Sequence, residues 1–188
     1  FVPSRGLGDV YKRQLQRLAI KILSAEMNEV SDIAARQRDE ARLLAQLNHH
    51  AIVKVFDLIN ISGRPAVLME YVEGVDAAVL SRGGPMPPRA TLQIIATAAD
   101  ALHVAATTAS PHTGQPLSVI HRDIKPANLL VSRHGGVKVL DFGIARAEFD
   151  REGITSSQMY GSARYMAPEQ WLYGHSSHAV DILSLIHI

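Results

Sequence analysis

The sequence predicts an α+β fold in two lobes: a small, mostly antiparallel strand-rich part to about residue 69, then a mainly helical and incomplete part over 70–188. Three observations lead there. β-Branched runs of strand length cluster early, at 18–23, 52–56 and 66–71. A long helical pattern follows at 88–107, and a short hairpin follows that. Strands with one helix, then helices with one hairpin, suggest two lobes meeting near Glu70 to Gly74.

Taken in order, the first helix is expected over 33–47, where Ile33, Leu43, Leu44 and Leu47 fall partly on one stripe and Arg36, Arg38, Asp39, Glu40 and Arg42 supply the polar remainder. The second helix carries Leu92, Ile95, Ala99, Leu102 and Ala106 at three- and four-residue spacing, a stripe expected to face the core. Glycine- and proline-rich loops bound it at 82–88 and 110–116. Residues 128–131 and 137–140 flank Arg133, His134, Gly135 and Gly136 as a hairpin. A polar stretch over 149–164 shows no core pattern.

The 188 residues are 47% hydrophobic, enough for a real core. Nineteen basic and eighteen acidic residues leave a formal charge of +1, which calls for neither nucleic acid nor an anionic membrane as partner. The absence of cysteine excludes disulfides and thiolate metal sites and fits a cytoplasmic setting. No apolar run has the length of a membrane span.

One short loop concentrates the chemistry. His121, Arg122, Asp123, Ile124, Lys125, Pro126, Ala127 and Asn128 precede the hairpin, and Asp141, Phe142 and Gly143 follow it. A carboxylate such as Asp123 can accept a hydroxyl proton, Lys125 can neutralise a transferring phosphoryl group, and Asn128 and Asp141 offer hard oxygen ligands for magnesium.

These residues resemble the protein kinase family, in its bacterial serine/threonine form. The same resemblance extends to Leu18-Ala19-Ile20-Lys21, to Glu40 on the first helix, and to Ala167-Pro168-Glu169. It implies a two-lobe kinase fold that binds ATP and Mg2+ and transfers phosphate to Ser or Thr hydroxyls of a protein substrate. Lys21, paired with Glu40, would orient the phosphates. Asn128 and Asp141 would hold magnesium, Asp123 would act as base, and Lys125 would stabilise the γ-phosphoryl.

Main-chain groups of Glu70 and Val72 would meet adenine, Ala19 and Leu130 would sandwich it, and Met69 would guard the space behind. His121 would be a buried scaffold, with Phe142, Leu44 and Val55 forming an apolar column, and Asp181 would brace the catalytic loop backbone. The other histidines are expected to be mostly exposed. Arg122 would receive a phosphate on the activation segment, at Thr155, Ser156 or Ser157, and self-association would serve autophosphorylation.

The chain departs from the family's pattern at its ends. Gly6 and Gly8 resemble the close of a phosphate-covering glycine loop, but the first expected glycine has no counterpart in residues 1–5. Residues 1–14 and 183–188 also resemble translated adapter read-through, and Leu183 and Ile186 stand where the family has tyrosine and glycine. The alternative to an active kinase is an inert piece or a pseudokinase-like binding module. A pseudokinase normally lacks Lys21, Asp123 or Asp141, and all three are present.

Overall fold

Residues 17–22, 44–111, 113–142, 163–173 and 177–188 are described by a computed structural model. Strands β1 (Leu18–Ile22), β2 (Val55–Ile61) and β3 (Arg64–Glu70) form one antiparallel sheet in the order β1-β3-β2. The register sets Ala19 opposite Met69 and Lys21 opposite Val67. Alternation along β1 leaves Leu18, Ile20 and Ile22 exposed and turns Ala19 and Lys21 to the half-buried face. Ser62 and Gly63, both with positive φ, close the tight turn between β2 and β3.

A second antiparallel sheet, ordered β4-β5-β6, joins β4 (Gly74–Asp76), β5 (Leu129–Ser132) and β6 (Val137–Val139). The expected hairpin is therefore present, with Gly135 at φ +82° in its turn. Its third strand escaped the sequence reading because Gly74, Val75 and Asp76 are too few to show alternation. Gly74 is required there: a Cβ would lie 2.3 Å from the carbonyl oxygen of Val131.

The expected strand over 52–56 is corrected. Ile52 makes only an isolated parallel bridge to Val139, and the continuous strand begins at Val55. The 51–53 segment instead clips onto the second sheet, with Val139 N–H donating to Ala51 O at 2.7 Å and Val53 N–H to Val139 O at 3.1 Å. Burial of this apolar segment wins over extending β2.

Helix α1 (Ala77–Leu80) is capped by the Asp76 carboxylate, which accepts from Val79 N–H at 2.7 Å. Helix α2 (Pro88–Thr107) starts with proline at its first position, as expected, but its buried face is a correction. Ile94, Ala98, Ala101, Leu102 and Ala105 are buried, whereas Leu92 is 67% exposed. The core face is rotated by roughly a third of a turn from the predicted stripe. Alanines on that face let α2 come close to β5, β6 and α4 (His178–Ile186). Helix α3 (Pro168–Tyr173) lies between the polar segment and α4 in sequence. Of the helix expected over 33–47, residues 44 and 45 are helical and the part before residue 44 lies outside the described residues.

Candidate active site

The loop from His121 to Asn128 is held from beneath. His121 is fully buried, and the main-chain N–H of Asp123 donates to its Nδ1 at 3.3 Å. Nδ1 is thus the acceptor, so Nε2 carries the hydrogen and donates to Leu140 O at 2.7 Å. Burial pushes the His121 pKa down, against the attraction of the carboxylates of Asp181, Asp123 and Asp141. The imidazole is therefore a neutral strut between the catalytic loop and the strand end leading to Asp141.

Asp181 on α4 accepts N–H groups of His121 and Arg122, each at 2.7 Å, as the expected brace. Its own pKa is raised by burial, with His121 and the two N–H bonds acting in the opposite direction. Arg122 adopts φ +69° and Asp141 φ +57°, a left-handed backbone that L-residues rarely adopt. Two such residues flanking one site show local strain held by surrounding bonds.

Above this base, the expected catalytic side chains converge. Lys125 Nζ lies 2.7 Å from Asp123 Oδ2. Asn128 Nδ2 donates to the main-chain oxygen of Asp123 at 2.7 Å and to Oδ2 at 3.1 Å. The Asn128 amide nitrogen is thereby turned to Asp123, which directs its oxygen away from that carboxylate. Lys21 of β1 reaches across to Asp141, with Nζ 2.8 Å from Oδ1. Lysine and aspartate from opposite lobes thus meet at one point.

The donor chemistry fits magnesium and a polyphosphate. Asp141 and Asn128 would offer a metal their oxygens, and Lys21 and Lys125 would offer phosphates cationic donors. Among the described residues no group of three or more His, Cys, Asp or Glu forms a protein-only metal cage. A magnesium ion sharing its coordination between one or two protein oxygens and phosphate oxygens needs none.

Met69 lines a cavity with Leu44, Ile52, Val53, Val55, Val139, Asp141 and Phe142. The cavity brings together the residue expected to guard it and most of the expected apolar column; Phe142 and His121 complete it with ring centroids 4.6 Å apart. Glu70 donates its N–H to Lys54 O at 2.9 Å, so that N–H is already engaged within the protein. Ala19 and Leu130 stand on different sheets, one in each lobe, and Val72 is half-buried in the connection between them.

Three positioning contacts were missed by sequence reasoning. The Glu70 carboxylate takes Lys138 Nζ and, at 2.8 Å, Lys54 N–H, tying the inter-lobe connection to β6. Gln170, buried on α3, spans from Ala167 N–H to Arg122 O. His49 is the exception among histidines expected to be mostly exposed: its side chain is largely buried and Nε2 lies 3.2 Å from Asp100 Oδ2 on α2. His103, His134 and His178 are exposed, as expected. Gly6, Gly8, Glu40, Gly143, Thr155, Ser156 and Ser157 lie outside the described residues.

Comparison with known proteins agrees with this geometry. Residues 7–187 match the protein kinase domain family. The chain is 37% identical over 175 residues to serine/threonine-protein kinase PknB of Mycobacterium leprae, covering 88% of this chain and 27% of that protein. It is 36% identical over 188 residues to serine/threonine-protein kinase PknE of Mycobacterium bovis, covering 96% of this chain and 31% of that protein. Among solved structures, the Mycobacterium tuberculosis PknI kinase domain superposes with a TM-score of 0.65 at 26% identity, over 89% of this chain and 60% of the other. The chain thus spans about a quarter to a third of the length of these curated relatives. With the match spanning nearly the whole sequence, the chain belongs to the protein kinase domain family.

Proposed function

We propose that this chain is the catalytic core of a bacterial serine/threonine protein kinase that transfers the γ-phosphate of ATP to Ser or Thr hydroxyls of proteins. The observation that carries this reading is the pairing of two lysines with two aspartates: Lys125 with Asp123 on the loop fixed by Asp181, and Lys21 of β1 with Asp141 just after β6. ATP supplies the phosphoryl group, and Mg2+ neutralises its charge.

The protein's own residues align and balance charge. Lys21 orients the phosphates, exchanging part of its contact with Asp141 for them. Asp141 and Asn128 present oxygens to the metal. Asp123 takes the proton of the acceptor hydroxyl as that oxygen bonds to phosphorus and the bond to the ADP oxygen breaks. Lys125, beside Asp123, meets the charge on the transferring group. The main-chain carbonyl of Glu70 and the main chain of Val72 engage adenine between Ala19 and Leu130, with Met69 behind. Glu40, Gly6 and Gly8 complete the phosphate side.

Retention of Lys21, Asp123, Asn128 and Asp141 speaks against a pseudokinase-like binding module. No helix among the described residues is long and apolar enough to cross a membrane. We place the catalytic core in the cytoplasm, where ATP is available, with self-association serving autophosphorylation.

The test is phosphate transfer by protein containing the complete kinase domain, incubated with Mg-ATP and a Ser/Thr acceptor protein. Asp123→Asn is expected to abolish transfer while leaving Mg-ATP affinity within about threefold, because the carboxylate aligns the acceptor rather than the nucleotide. Lys21→Met is expected to cut turnover by about two or more orders of magnitude. Wild-type turnover in either variant would overturn the assignment.

A further inference from the structure

Gln170 is the only described residue of α3 whose side chain is hydrogen-bonded at both ends to separate parts of the site, among the contacts resolved there. It is 5% exposed. Its Oε1 accepts Ala167 N–H at 3.1 Å, and its Nε2 donates to the main-chain oxygen of Arg122 at 3.1 Å. Ala167 is itself fully buried and closes the segment 163–167 that leads into α3.

The partner atom matters. Arg122 O belongs to the peptide group that joins Arg122 to Asp123, so whatever fixes that oxygen also fixes the plane from which the Asp123 side chain projects. The preceding peptide is fixed from the other side, where Asp181 accepts Arg122 N–H at 2.7 Å. Arg122 sits at φ +69° between these two anchors, a conformation that local bonding must hold.

A second anchor ties the same segment to α4. Ser184 Oγ donates to Tyr165 O at 2.6 Å, and α4 also carries Asp181. Segment 163–167 and the catalytic loop are thereby referenced to one helix, with Gln170 as the direct strut between them.

We propose that Gln170 is a positioning residue that sets the register between the segment ending at Ala167 and Asp123, and so aligns a protein acceptor bound along that segment with the base. This rests on the kinase reading above. The amide is required because one end must accept and the other donate. A carboxylate at the same place keeps the first bond and loses the second.

The test uses protein containing the complete kinase domain and compares wild type, Gln170→Glu and Gln170→Met, with Mg-ATP and an acceptor peptide each varied in turn. Gln170→Glu, nearly identical in size, is expected to lower kcat for peptide phosphorylation about tenfold and raise the peptide KM, while the ATP KM stays within about twofold. Gln170→Met, which loses both bonds, is expected to lose at least as much. A general loss of folding would instead move the ATP KM and the melting temperature together.

If Gln170→Met fails to bind Mg-ATP, Gln170→Glu decides alone, since it retains the Ala167 bond. Wild-type kcat and peptide KM in Gln170→Glu would overturn the positioning role while leaving the kinase reading intact. Absence of peptide phosphorylation by wild type would overturn the kinase reading and this role with it.

Discussion

Asp181 Oδ2 accepts the main-chain N–H of His121 at 2.7 Å, although the two residues lie 60 positions apart. Oδ1 of the same carboxylate takes Arg122 N–H at 2.7 Å. One buried side chain on α4 therefore fixes two consecutive peptide groups just before Asp123. Neither peptide has a ladder or helix partner in this loop, and a buried N–H without an acceptor is costly. The brace substitutes for secondary structure where the chain must be irregular.

Removal of that carboxylate should be severe. Asp181→Ala leaves a buried donor at His121 and a half-buried one at Arg122 unsatisfied and is expected to destabilise the fold by about 3 kcal/mol. Asp181→Asn, which keeps one acceptor oxygen, should cost less. Urea denaturation of the complete kinase domain followed by circular dichroism measures both. An Asp181→Ala midpoint equal to that of wild type would show that the brace contributes nothing to stability.

His121 predicts a pH dependence with a definite sign. Its pKa is lowered in the fold by burial, from an ordinary value of 6.5. Below that value the unfolded chain takes up a proton that native His121 resists, so the unfolded state binds more protons and stability falls as pH falls. Protonation at Nδ1 would also turn a donor toward Asp123 N–H. Asp181 acts with the opposite sign: its raised pKa makes the native state hold more protons above 3.8, so its contribution declines as pH rises through that lower window. Wild type should lose more stability than His121→Phe between about pH 7.5 and pH 5.5. Equal losses in thermal or urea unfolding would refute the neutral-strut assignment.

Much of the candidate site was legible in the sequence because it is local. Asp123, Lys125 and Asn128 lie within one loop, and their mutual contacts follow from spacing. Lys21 and Asp141 are far apart in sequence; the family resemblance assigned both to the nucleotide but paired Lys21 with Glu40, so their direct contact went unread. Glu70 with Lys138, and Gln170 with Arg122, had no such signal, because a lone polar residue on a strand or helix carries no mark of a distant partner. The face of α2 was misread for a different reason. Alanine recurs around much of its circumference, so periodicity could not decide which alanines touch the core.

The corrected face can be tested. Ala98 is fully buried against the core, whereas Leu92 is 67% exposed. Ala98→Leu should force extra volume into a filled space and cost about 1 to 3 kcal/mol. Leu92→Lys should change stability by less than about 0.5 kcal/mol. The original stripe requires the reverse order, with Leu92→Lys the more damaging, and paired urea titrations distinguish the two.

Control of activity gives the last prediction. Arg122 is held by its N–H on Asp181 and its carbonyl on Gln170, so the base of its side chain is fixed immediately beside Asp123. A phosphate on the activation segment adds roughly −1.5 to −2 charge and three acceptor oxygens, which a guanidinium anchored at its base can bind in bidentate fashion. Thr155, Ser156 and Ser157 are the acceptors in the polar stretch between Asp141 and Ala167 that we assign to this switch. Phosphorylation there would draw the segment toward the catalytic loop and raise transfer to an added substrate. Mass spectrometry after incubation of the complete kinase domain with Mg-ATP should find phosphate among residues 155–157. Changing all three to alanine should lower activity toward an added protein by about tenfold, while Mg-ATP affinity stays within about twofold. Arg122→Ala should remove the difference between phosphorylated and unphosphorylated enzyme. Full activity in the triple variant, or a phosphorylation response that survives Arg122→Ala, would refute the switch and leave the phosphotransfer assignment standing on Asp123 and Lys21.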